Sequence, residues 1–123
     1  MIDLHNHLLP AVDDGATELA QTRAALTAMR DSGVTTVVVT PHFDGHRTRD
    51  AEELAQAMAP IDAAWRVVQD LVRLEFPGLR LARGAEVMLD TPDPDLSDPR
   101  VRLAGSHYVL VEFPQMTVPP HSV

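Results

Sequence analysis

The sequence predicts an α/β fold with parallel strands. Three observations carry that reading: a β-branched run at Val34 to Thr40, apolar stripes at helical spacing on either side of it, and the alternation of the two kinds of segment along the chain. With 123 residues, 45% of them hydrophobic, the chain can bury one modest core. Aromatic residues make up only 4%, so that core must be aliphatic.

Each element has its own signal. Ile2 to Leu9 interleaves apolar and polar residues and reads as a short buried strand. Asp13-Asp14-Gly15 is a turn with acids placed to cap a helix. Leu19, Leu26 and Met29, flanked by alanines, give a helical stripe to about Ser32, and Gly33 stands where a C-cap belongs. Val34 to Thr40 reads as a fully buried parallel strand, followed by a polar stretch from Pro41 to Asp50. Leu54, Met58, Ile61, Trp65, Val68 and Val72 repeat at steps of four and three, which predicts a long amphipathic helix that Pro60 should kink or split. Pro77-Gly78 ends it. Leu79 to Met88 is a third strand, Pro92 to Pro99 a loop rich in proline and aspartate, and Tyr108 to Phe113 a fourth strand. There is no internal repeat and no low-complexity segment, so residues 1–123 form a single domain. A closed (β/α) barrel usually needs ~200–250 residues, and four strands are about half of one.

Composition narrows the function. Eighteen acidic and ten basic residues give a formal charge of −8, which argues against binding nucleic acid or an anionic membrane. The chain has no cysteine, so disulfides, thiolate ligands and a cysteine nucleophile are all excluded within it. No run approaches the ~20 apolar residues of a membrane span. Met1-Ile2-Asp3-Leu4 lacks the basic region of a secretory signal, and the expected location is the cytoplasm.

The chemistry concentrates at predicted strand ends. His5 and His7 lie two apart, which puts both imidazoles on one face of an extended segment. His42 follows the second strand, Glu86 falls late in the third, Glu112 in the fourth, and Asp14 in the first loop. The C-terminal edge of a parallel sheet is where sites assemble. A carboxylate inside Tyr-Val-Leu-Val-Glu-Phe is costly to desolvate unless it is paired or holds a cation. Nitrogen and oxygen ligands without sulfur suit Mn, Fe or Zn, and several of each suggest more than one ion. Other polar residues carry plainer expectations. His46, Arg47 and Arg49 read as solvated loop residues, His107 as structural, His121 as part of a frayed tail, and Asp93-Pro94-Asp95 as loop. Asp13 reads as a cap or a supporting acceptor, and Asp3 as a residue that could orient an imidazole.

Met1 to Ala16, Thr40-Pro41-His42, Gly84-Ala85-Glu86-Val87 and Leu110-Val111-Glu112-Phe113-Pro114 resemble the bacterial manganese-dependent tyrosine-protein phosphatases of capsular polysaccharide synthesis. These belong to the polymerase and histidinol phosphatase (PHP) superfamily. The resemblance covers the whole chain and implies the N-terminal half of a distorted (β/α)7 PHP-type barrel. It implies that His5 and His7 bind a first ion, that Glu86 bridges first and second, that Glu112 binds the second, and that Asp14 and His42 bind a third. It further implies Mn2+ as cofactor and hydrolysis of phosphotyrosine by a metal-activated water. The implied substrate is a phosphotyrosine protein, an autophosphorylating tyrosine kinase of polysaccharide export. Members of that family run roughly as long again, and the continuation supplies a His-x-Glu-Arg and a closing Asp-x-His. The chain therefore reads as an N-terminal fragment. Three alternatives stand beside this reading. One is a histidinol-phosphatase-like small phosphomonoesterase; another is an amidohydrolase barrel, disfavoured by the Asp-Asp-Gly and Thr-Pro-His that follow the first motif. The third is an inactive metal-binding remnant that self-associates through open sheet edges.

Overall fold

A computed structural model describes residues 1–113. Its elements, in chain order, are β1 (Ile2–Asp3), α1 (Leu19–Asp31), β2 (Thr36–Val39), β3 (His42–Asp44), a 3-10 turn (Gly45–Thr48), α2 (Ala51–Glu75), β4 (Arg80–Arg83), β5 (Glu86–Met88), two further 3-10 turns (Pro99–Val101 and Leu103–Gly105) and β6 (Leu110–Glu112). The fold is mixed α/β, and every strand pairing in it is parallel.

The strands form two three-stranded sheets instead of one run of four strands. The first has the order β1-β2-β4 and the second β3-β5-β6. At two places the chain passes from the first sheet straight into the second. The β-branched run stops at Val39 and resumes as His42–Asp44, inside what the sequence reads as a polar stretch. Leu79 to Met88 likewise divides into β4 and β5 at Gly84-Ala85. At both breaks the backbone bonds step across: Gly84 N–H donates to Val39 C=O at 2.8 Å and Glu86 N–H to Pro41 C=O at 2.9 Å. Pro41 has no N–H to offer a ladder, which fixes the break beside it.

The first strand is shorter than expected, for a local reason. The Asp3 carboxylate accepts from His5 N–H (3.1 Å) and from Asn6 Nδ2 (3.0 Å), turning the chain out of the ladder after two residues. Residues beyond it stay alongside β2 through a different device. Thr40 N–H donates to Asn6 C=O at 3.0 Å, and the buried Thr40 hydroxyl accepts from Asn6 N–H at 3.0 Å and donates to Asn6 C=O at 3.1 Å.

Around the sheets, α1 buries Thr22 and Leu26, while Gly33 takes a left-handed φ of +92° just past its end. The acids expected to cap α1 do not do so. The N-cap is Glu18 without a side-chain bond, and Asp13 serves elsewhere. α2 is capped by Asp50, which accepts from Glu52 N–H at 2.8 Å. It runs unbroken through Pro60. An interior proline costs a helix about 3 kcal/mol, but Met58, Ile61, Ala64, Val68, Leu71 and Val72 bury one continuous stripe on both sides of it. At about 1.5–3 kcal/mol for each fully buried large side chain, the stripe outweighs the lost bond. Val37, Val39, Val87 and Val101 complete the aliphatic core.

Candidate metal centre

Six side chains meet where the C-terminal end of the first sheet passes into the second. His5 and His7 flank Asn6, so the stitching of Asn6 to Thr40, Val38 C=O and Asp3 turns both imidazoles to the opposite side. His42 and Glu86 are register partners on β3 and β5, and Glu112 on β6 pairs with Met88, two residues further along β5. Asp14 arrives on the first loop, which folds over His7: Ala16 N–H donates to His7 C=O at 3.0 Å. A Cβ on Gly15 would collide with the His7 carbonyl and Cβ, so only glycine lets the loop lie there.

Glu86 is the hub. Only 5% exposed, it contacts His5 Nε2, lies 3.0 Å from His42 Nδ1 and 3.7 Å from His7 Nε2. Glu112 stands 2.9 Å from the same His42 Nδ1. Asp14 lies 3.2 Å from His42 Nε2 and 3.3 Å from His7 Nδ1. The His7 and His42 rings are 4.2 Å apart and those of His5 and His7 5.4 Å. The ligand atoms fall into three trios, each within 4.8 Å: His5, His7 and Glu86; His7, Asp14 and His42; His42, Glu86 and Glu112. Each trio shares one residue with each of the others. All six residues singled out from the sequence are thus brought together.

These donors fit cations. A neutral imidazole has one N–H and one lone pair, yet His42 and His7 each face carboxylates with both nitrogens. One nitrogen of each ring is then set lone pair against lone pair unless a positive charge, a second ring proton or a metal ion, lies between. His7 Nε2 is buried and has no hydrogen-bond partner, an arrangement that costs free energy if nothing is bound. Three carboxylates in one basin add to the same demand.

The supporting residues differ in part from expectation. Asp13 is an acceptor, holding Gly15 N–H (2.9 Å) and His42 N–H (3.0 Å), and so ties the first loop to β3. Asp3 orients backbone and Asn6, not an imidazole ring. His46 is exposed, as expected, but its ring is not free. Asp90 accepts from the His46 backbone N–H at 2.8 Å, and its other carboxylate oxygen meets the ring Nδ1 at 2.5 Å. The side-chain bond to Asp90 raises the imidazole pKa, with desolvation opposing it and the charge of Asp90 adding to it. On Asp90, desolvation pushes the pKa up, but the bonds from His46 prevail and lower it. With Asp44 these residues form an exposed fourth trio. His46 looked unremarkable in the sequence because its partner lies 44 residues away. Asn6 and Thr40 were also missed, although a polar residue held between two histidines of a strand-like segment was a usable signal. Arg47 and Arg49 pair loosely with Asp44 and Asp93. His121 lies outside the described residues.

A parallel α/β fold with a basin of histidines and carboxylates where its two sheets meet defines the class. The chain belongs to the capsular polysaccharide synthesis family CpsB/CapC, whose model matches residues 1–119. It is 30% identical to the tyrosine-protein phosphatase YwqE of Bacillus subtilis (strain 168), over 99% of this chain and 46% of that protein. It is 32% identical to the tyrosine-protein phosphatase CpsB of Streptococcus pneumoniae, over 95% of this chain and 46% of that one. Among solved structures, it superposes with a TM-score of 0.72 and 29% identity on a chain from the crystal structures of YwqE and CpsB, described as unique metal-dependent tyrosine phosphatases. That match covers 99% of this chain and 48% of the other. The chain spans about half the length of the curated relatives it matches. No helix among the described residues is long and apolar enough to cross a membrane.

Proposed function

We propose that residues 1–123 form a single domain corresponding to the N-terminal half of a distorted (β/α)7 PHP-type barrel, and that it carries the metal-binding part of a tyrosine-protein phosphatase. His5, His7, Asp14, His42, Glu86 and Glu112 are its metal ligands. Mn2+ is the cation of choice, with Fe and Zn able to use the same nitrogen and oxygen donors. The observation that carries this reading is the double confrontation of His7 and His42 with carboxylates around the buried Glu86.

Divalent ions bound there would supply charge neutralisation for the phosphoryl oxygens and polarisation of a water for attack on phosphorus. The chain's own residues prepare the place. Glu86 and Glu112 fix the negative charge that holds cations, and the bonds of Asp13 and Asn6 hold the histidines in position. Without cations the three carboxylates would repel a phosphate. With them, the local sign inverts, so an acidic protein can take an anionic substrate. Because this chain has no cysteine, a thiol phosphoenzyme is not open to it. The substrate is phosphotyrosine on a protein, an autophosphorylating kinase of polysaccharide export acting in the cytoplasm.

The test is incubation with Mn2+ and a phosphotyrosine peptide. Phosphate release abolished by EDTA is expected. Release indifferent to EDTA, or none from protein shown to hold metal, would refute the proposal.

A further inference from the structure

An open cleft of about 420 Å³ adjoins the metal centre and shares His42 with it. Val12 from the first loop, Phe43 from β3 and Ala57, Pro60 and Ile61 from α2 give it an apolar side, while His42, Asp44 and Arg47 line the rest. At its lip stands Arg47, whose guanidinium is held only loosely, 3.6 Å from Asp44, both side chains being about half exposed.

Resting on the phosphatase reading above, we propose that this cleft seats the aromatic ring of the substrate and selects aryl over alkyl phosphate esters. In an aryl phosphate the ring is one oxygen atom from phosphorus. With the phosphoryl group at the trios, the ring must occupy space beside His42, and the cleft provides it. A phenyl ring gains by burial against Val12, Pro60 and Ile61, a gain that a methyl ester is too small to match. Arg47 can swing over the ring face, a favourable place for a guanidinium.

Pro60 supports the assignment independently. It is exposed and adds nothing to the core, yet it sits inside a 25-residue helix at a cost of about 3 kcal/mol. Lining the cleft, it contributes a rigid apolar surface with no N–H to desolvate.

The experiment compares binding of phenylphosphonate and methylphosphonate to the full chain loaded with Zn2+, which is diamagnetic, by NMR. The phenyl compound should bind on the order of tenfold more tightly, the gain expected for burying about half a ring. Its ring protons should show contacts to the Val12 and Ile61 methyl groups. Ala57→Trp, which fills the cleft, and Pro60→Asp, which charges its exposed wall, should each abolish the preference without changing metal content. Equal affinities for the two compounds, ring contacts elsewhere, no binding, or an unaltered preference in Pro60→Asp would overturn the proposal. Turnover of a phosphotyrosine peptide separates the two readings. If the ring docks but turnover fails, the phosphatase reading falls and the cleft assignment stands. If EDTA-sensitive turnover proceeds with the same kcat/KM in wild type and Ala57→Trp, the cleft assignment falls and the phosphatase reading stands.

Discussion

Replacing Glu86 by glutamine keeps the shape of the side chain and removes the charge that two of the three trios share. The effect can be worked out through linkage. A cation present at one hundred times its Kd stabilises the folded chain by about 2.7 kcal/mol. With an unfolding entropy of about 2.1 cal/mol/K per residue, that raises the melting temperature of a chain this size by about 10 °C. Loss of a ligand weakens the site at least as much as loss of a supporting contact, which costs about 10–100-fold. At the upper figure the variant's site would be only half filled at the same Mn2+ concentration, gaining about 0.4 kcal/mol, or roughly 1.5 °C. Glu112→Gln, which disturbs one trio, should fall between the two. The assay is thermal unfolding with and without Mn2+, at a concentration set from the wild-type Kd by calorimetry. A Glu86→Gln variant whose Mn2+-induced shift equals that of wild type would refute the reasoning.

Three further outcomes follow from the geometry. Gly15→Ala should lower stability by about 2 kcal/mol or more, because its Cβ meets His7, and should weaken Mn2+ binding with it; urea unfolding and a metal titration check both. Pro60→Ala should stabilise α2 by about 2–2.5 kcal/mol, the helix gain less the greater freedom of the unfolded chain, and loss of stability in urea would contradict the account of α2. The His46–Asp90 pair should give a pH-dependent contribution. His46 contributes in full below its ordinary value of 6.5, and its share fades as pH rises through the raised folded value. Asp90 contributes in full above its ordinary 3.8, and its share fades as pH falls through the lowered one. Wild type should therefore exceed Asp90→Asn in melting temperature most at about pH 4–6.5, with the gap narrowing on either side; a gap that widens toward about pH 9 would count against the pair.

Much of the fold was legible because its signals are local. Val37, Val38 and Val39 announce a buried strand, and Gly33 the end of α1. The stripe of α2 carries its own period. What the sequence could not reveal depends on partners distant in the chain. The break at Pro41 separates two sheets only because Gly84 and Glu86 bond across it. His42–Asp44 is too short and too polar to read as a strand, and it is one because β5 lies beside it. Pro60 suggested a split helix, but a buried stripe on both sides holds α2 together. The six residues of the basin were readable because imidazoles and carboxylates at strand ends are conspicuous against an aliphatic background. The residues that hold them, Asn6, Thr40 and Asp13, look like ordinary turn and strand residues until their bonds are seen.

The most direct measurement is an anomalous-difference map from crystals of the chain grown with Mn2+ and recorded at the manganese edge. A peak bounded by His5, His7 and Glu86, with further density toward His42, Asp14 and Glu112, is the predicted result. A map with no peak among these six residues, from crystals whose solution holds millimolar Mn2+, would contradict the account.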